Sequence, residues 1–177
     1  MKNNSGFTLI EVLIAMLVLA VGLLGLAGLQ AVSLRNNLSA YNRTQATQLA
    51  YDMADRMRAN VADTSNLATS IYNTVAPTAG TVQSDCKPAS APPSPATCTP
   101  QDMARNDLYE WNCAVAGGNA CGNIVALLPA GLATIAGGLV GTAPNQHMMY
   151  TITINWDDNR DGSVDNLDPR FQMRFQL

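Results

Sequence analysis

The hydrophobic pattern changes character three times along the chain. Residues 7–29 form a run of 23 positions whose only strongly polar members are Thr8 and Glu11. As a helix rising about 1.5 Å per residue, this run spans roughly 34 Å, enough for a bilayer core of about 30 Å. Beyond it, Leu34, Leu38, Tyr41, Leu49, Met53 and Met57 recur at spacings that are sums of three and four. That period predicts an amphipathic continuation of the same helix over residues 30–60. Its apolar stripe drifts around the axis, which predicts curvature or contact with more than one surface. The C-terminus switches to period two. Tyr150, Ile152, Ile154 and Trp156 share one face, and Phe171, Met173, Phe175 and Leu177 share another. Both segments read as half-buried antiparallel strands. Residues 132–140 are a weaker strand candidate, interrupted by Gly137 and Gly138, and residues 107–112 suit a short helix capped by Asp107. Residues 61–101 are rich in Thr, Ser, Ala and Asn, and 87–97 form a Pro-rich loop. A long helix laid on a small antiparallel sheet is an α+β arrangement.

The apolar run is too long for the core of a secretory signal peptide, about 7–15 residues, and Ala31-Val32-Ser33 is a poor cleavage site after it. Glu11 is unusual in a simple anchor, because a carboxylate at the centre of a membrane span costs on the order of 2–3 kcal/mol and less near an end. Thr8-Leu9-Ile10-Glu11 has capping-box spacing, and an acid in the first turn complements the helix dipole. These explain how Glu11 is tolerated, not why it is there. Gly22, Gly25 and Gly28 each cost about 1 kcal/mol against Ala in a helix interior. Membrane helices tolerate glycine for close packing, although this spacing of three is not the four-residue dimer motif.

Met1-Lys2-Asn3-Asn4-Ser5-Gly6 followed by Phe7-Thr8-Leu9-Ile10-Glu11 resembles the class III leader and cleavage site of type IV pilins. The resemblance implies a leader of residues 1–6, cleavage between Gly6 and Phe7 by a prepilin peptidase, and N-methylation of the new Phe7 amine. It implies that Glu11 neutralises the Phe7 amine of a neighbouring subunit, and that the glycine-bearing stretch loses helicity in the fibre. Pairing the two charges relieves the cost of burying each alone. It also implies a pilin fold, with residues 61–177 as a globular domain on the periplasmic and then extracellular side. Residues 21–30 and 50–60, with Asp107-Leu108-Tyr109-Glu110-Trp111 and Leu128-Pro129-Ala130-Gly131, look like the PilV group of minor pilins. Such a protein helps to initiate pili and sits near the tip. Its implied partners are other minor pilins, the major pilin, the peptidase, the inner-membrane assembly platform and a tip adhesin. The alternatives are a minor pseudopilin of type II secretion and an adhesive or DNA-binding minor pilin.

Charge and composition narrow these readings. Only 13% of residues are charged and the net charge is −3, which excludes a basic surface spread over the chain. Lys87, Arg105, Arg160, Arg170 and Arg174 are scattered in sequence, so no nucleic acid is expected. His147 is the single histidine, and no phosphate-cradling glycine loop precedes a helix, so an enzyme is not expected. Cys86, Cys98, Cys113 and Cys121 allow three pairings. Lys2 and the N-terminus mark the cytoplasmic side, which puts all four in the oxidising periplasm. Their spacing lacks the close pairs of a zinc site. We expect Cys86–Cys98 pinching the Pro-rich loop and Cys113–Cys121, each stabilising by about 2–4 kcal/mol, with free buried thiols as the alternative. In the loop between the C-terminal strands, Asp157, Asn159, Asp161, Ser163, Asp165 and Asp168 take positions 1, 3, 5, 7, 9 and 12 of a calcium loop, with Gly162 at 6. A polar hairpin connection is the plain alternative, since no helices flank it.

Overall fold

The computed structural model describes residues 8–73, 86, 98–117, 121 and 124–177. Among these residues three helices and three strands follow in the order α1 (Leu9–Ala59), α2 (Val61–Thr64), α3 (Pro100–Ala116), β1 (Leu132–Val140), β2 (His147–Asn155) and β3 (Arg170–Gln176). The chain divides into two compact units, residues 1–40 and residues 41–177. The boundary falls inside α1, because only its later turns have a buried face: Asn42, Ala46, Leu49, Ala50, Met53, Ala54 and Met57.

In the second unit, β1, β2 and β3 form one antiparallel sheet in that order. The registers pair Ile135 with Ile152 and Ile154 with Phe171. The inward row of β2, Tyr150, Ile152 and Ile154, is fully buried with Trp156, and it shares one core with Met53 and Met57 of α1. Period-two burial on the sheet and a helical stripe on α1 therefore meet as the hydrophobic pattern requires. β1 runs through Gly137 and Gly138 without a break. At Gly137 a Cβ would stand 2.4 Å from Leu67 Cδ2 and 2.9 Å from the Tyr150 ring, so glycine there makes room for core side chains. Its amide is taken by Asn73 Oδ1 at 2.8 Å.

α3 corrects the expected short helix. It begins seven residues before Asp107, and its cap is Thr99, whose hydroxyl accepts the Asp102 amide at 3.1 Å, with Pro100 in the first turn. Thr, then Pro, then an acid is a helix-start signal that the preceding prolines obscure. Asp107 lies in mid-helix and is buried. The Trp111 indole N–H donates to Leu49 O at 2.8 Å, fixing α3 on α1. Gly117 ends α3 in the left-handed region at φ +70. Gly131 lets the chain pass against α3: a Cβ there would lie 2.3 Å from Val115 O.

Candidate assembly site

Gly6 and Phe7 lie outside the described residues. Glu11 lies in the first turn of α1. Its amide and that of Val12 donate to Thr8 O at 3.1 and 3.4 Å, while no side-chain bond joins Thr8 to Glu11 among the described residues. Leu9 and every residue from Ile10 to Leu38 are exposed in the single chain. Leu9 is 79% exposed and Leu24 74%. An 18-residue stretch of α1 has a mean hydropathy of 2.8 with none of it buried. A Cβ added at Gly22, Gly25 or Gly28 would meet no atom within 4 Å, so this face is open in the single chain. This half of α1 is an apolar surface bearing one carboxylate, and burial of roughly 1.5–3 kcal/mol worth of surface per large side chain awaits a lipid or protein partner.

A second polar feature shows in the sequence only through the i,i+4 spacing of Asp52 and Arg56. Arg56 donates from Nε to Asp52 at 3.0 Å and from Nη1 to Asp107 at 3.0 Å and Glu110 at 3.1 Å. The Tyr72 hydroxyl donates to the other oxygen of Asp107. The i,i+4 pair of Asp52 and Arg56 is one arm of a network tying α1 to α3. Its other two carboxylates lie 51 and 54 residues from Arg56, beyond any local spacing rule. Burial opposes the Arg56 charge, but the bond to Glu110 and the fields of Asp52 and Asp107 outweigh it and raise its pKa further. Burial, reinforced by Asp107, pushes the Tyr72 phenol well above its ordinary 10.0, and burial raises Tyr150 as well. A raised phenol pKa contributes stability that is complete below the unfolded value and is lost as pH climbs towards the folded one. Melting temperature should therefore fall above about pH 10 and not between about pH 8 and pH 10 from this source. Thermal scans of the Tyr72→Phe variant should show a shallower alkaline fall, and an unchanged slope would contradict the assignment.

Cys86 and Cys98 are joined with Cα atoms 5.2 Å apart, and Cys113 and Cys121 with Cα atoms 5.4 Å apart. The second bond ties the end of α3 to the segment that follows it. Cys98 immediately precedes the α3 cap, so the first bond anchors the start of the same helix.

The acidic loop is closed by bonds from its own amides to its side chains. Asp157, 4% exposed, accepts the Asp161 amide at 3.2 Å and the Gly162 amide at 2.9 Å. Asn159 Oδ1 accepts the Asp161 amide at 2.9 Å, and Asp161 accepts that of Ser163 at 3.0 Å. Asp168 accepts the Asp158 and Asp165 amides at 3.1 and 2.9 Å. The Ser163 amide, with Asn159, holds the Asp161 carboxyl below its ordinary value. Gly162 supplies the turn at φ +98. Among the described residues no group of three or more His, Cys, Asp or Glu side chains is placed to hold a metal ion. Calcium at Asp157, Asn159, Asp161, Ser163, Asp165 and Asp168 stays a proposal beside the polar hairpin connection; in the single chain the Asp157, Asn159, Asp161 and Asp168 oxygens accept amides of the turn itself.

Comparison with known families agrees with this layout. The prokaryotic N-terminal methylation motif matches residues 1–27. The family described as type IV pilin Tt1218 matches residues 28–109. No curated protein and no solved structure matches the chain. The two adjoining matches together cover residues 1–109 and support the type IV pilin superfamily, a structural rather than an enzymatic family. Its methylation motif and apolar helix fit a prepilin that is processed by prepilin peptidase, anchored in the inner membrane and then assembled with other pilins into a surface pilus.

Proposed function

We propose that this chain is a PilV-type minor pilin that helps to initiate type IV pilus assembly and is incorporated at or near the tip with other minor pilins. The observation that carries the reading is an apolar half-helix left wholly exposed, with Glu11 as its single carboxylate. Leader removal between Gly6 and Phe7 frees an amine, which is then methylated. Glu11 of one subunit then faces the Phe7 amine of the next as apolar surface is buried around both. The pair fixes axial register, because a mismatched helix would leave each charge desolvated alone. The domain of residues 41–177, held by the Arg56 network and the two disulfides, is displayed to other minor pilins, to the major pilin and to a tip adhesin, while the assembly platform receives the helix.

Deleting the gene tests the initiating role. Surface pili should fall sharply while the membrane pool of major pilin stays close to normal, because a primer acts before the bulk subunit is consumed. Normal pili together with defective protein export would instead identify a type II secretion pseudopilin.

A further inference from the structure

The side of the sheet turned away from α1 has a composition unlike the rest of the chain. The registers set Thr134, Thr153 and Gln172 in one cross-strand row, and Ala136, Thr151 and Arg174 in the next. Leu132, Asn155 and Arg170 make the row at one end of this face, and Gly138, Met149 and Gln176, then Val140 and His147, the rows at the other. No acid lies on these strands, although the chain carries 13 and has a net charge of −3. Arg170 and Arg174 are exposed and have no ion pair among the described residues. Four residues apart on one strand, they stand about 13 Å from each other. Gln172 lies between them and donates to Thr153 Oγ1 at 3.2 Å. At the Arg170 end the face is closed by a polar cavity of about 330 Å³ that Asp165 and Asp168 also line.

We propose that this face is a binding track for a linear acidic polysaccharide, with Arg174 and Arg170 meeting carboxylates of non-adjacent sugars and the Thr and Gln rows meeting sugar hydroxyls. Three features favour that occupant. The two exposed arginines lie along one strand, a line that an acidic polymer can follow, with Arg174 clear of the Asp165 and Asp168 that stand beside Arg170. The face measures roughly 15 by 25 Å, well under the ~800 Å² per partner of a stable protein interface. It carries no Phe, Tyr or Trp on which bases of a single-stranded nucleic acid would stack. Each exposed charge contact is worth little, so single-site binding is weak and is strengthened when several copies or repeats engage together.

The full chain in detergent micelles, titrated with alginate, tests this, with neutral dextran and duplex DNA as comparisons. Alginate should bind at low salt, weaken as salt rises, and outcompete DNA at equal charge. Arg174→Gln should weaken it about three-fold and Arg170→Gln with Arg174→Gln about ten-fold, at unchanged melting temperature. Absence of alginate binding, binding indifferent to both substitutions, equal retention of dextran, or tighter binding of DNA would each overturn the proposal. Piliation of the double variant should equal wild type, so failure here is separable from failure of the minor-pilin reading.

Discussion

Glu11→Ala is expected to be cut by the peptidase as wild type is, yet to reach sheared fibres at least about ten-fold less. Cleavage depends on Gly6 and Phe7, which the substitution leaves alone. Incorporation depends on what happens to the Phe7 amine when the apolar surface of α1 is buried. Without Glu11 that amine enters a dry helical core unpaired, and an unpaired buried charge costs several kcal/mol, of which about 1.4 kcal/mol is already a factor of ten. Immunoblots of the processed form and of sheared fibres measure both steps. Glu11→Gln is the sharper comparison, since it keeps size and hydrogen-bonding capacity and removes only charge. Gly6→Leu should fail earlier, with uncut precursor in the membrane. Normal fibre content for Glu11→Ala would remove charge pairing from the account, whatever the state of cleavage.

Trp111→Ala is expected to be the most damaging single change in the globular unit, lowering its stability by about 3–5 kcal/mol. Trp111 is 1% exposed and is the largest core residue contributed by α3. Truncation opens a cavity between α3 and α1 and removes the indole bond to Leu49 O. Trp111→Phe keeps most of the volume and should recover more than half of the loss, the remainder reflecting the missing hydrogen bond. Chemical denaturation of the purified protein reads both. A loss under about 1 kcal/mol for Trp111→Ala would show that α3 is not held where the structure places it.

The elements with strong local periodicity are legible in the amino-acid sequence. The half-buried rows of β2 and β3 appear there as alternation, and the long helix appears as an apolar run followed by a stripe. β1 is weakly marked because Gly137 and Gly138 have no side chains to alternate, although Gly137 is there to admit Leu67 and Tyr150. α3 reads too short in sequence because its true start, Thr99-Pro100, follows directly on a Pro-rich run and looks like more loop. The Arg56 network is out of reach for a different reason: Asp107 and Glu110 meet Arg56 only once α3 has docked, and only the Asp52 arm obeys a spacing rule. The acidic loop is ambiguous in the sequence for a simpler reason. The same Asp, Asn and Gly residues serve a cation site or a self-capped turn, and the sequence pattern alone does not separate them.

The measurement that tests the central claim most directly is mass spectrometry of this chain recovered from sheared, purified surface fibres. The account predicts a mature chain that begins at Phe7, carries one methyl group on that amine and contains both disulfides. A chain found only in the membrane fraction, or one retaining Met1-Lys2-Asn3-Asn4-Ser5-Gly6, would contradict it.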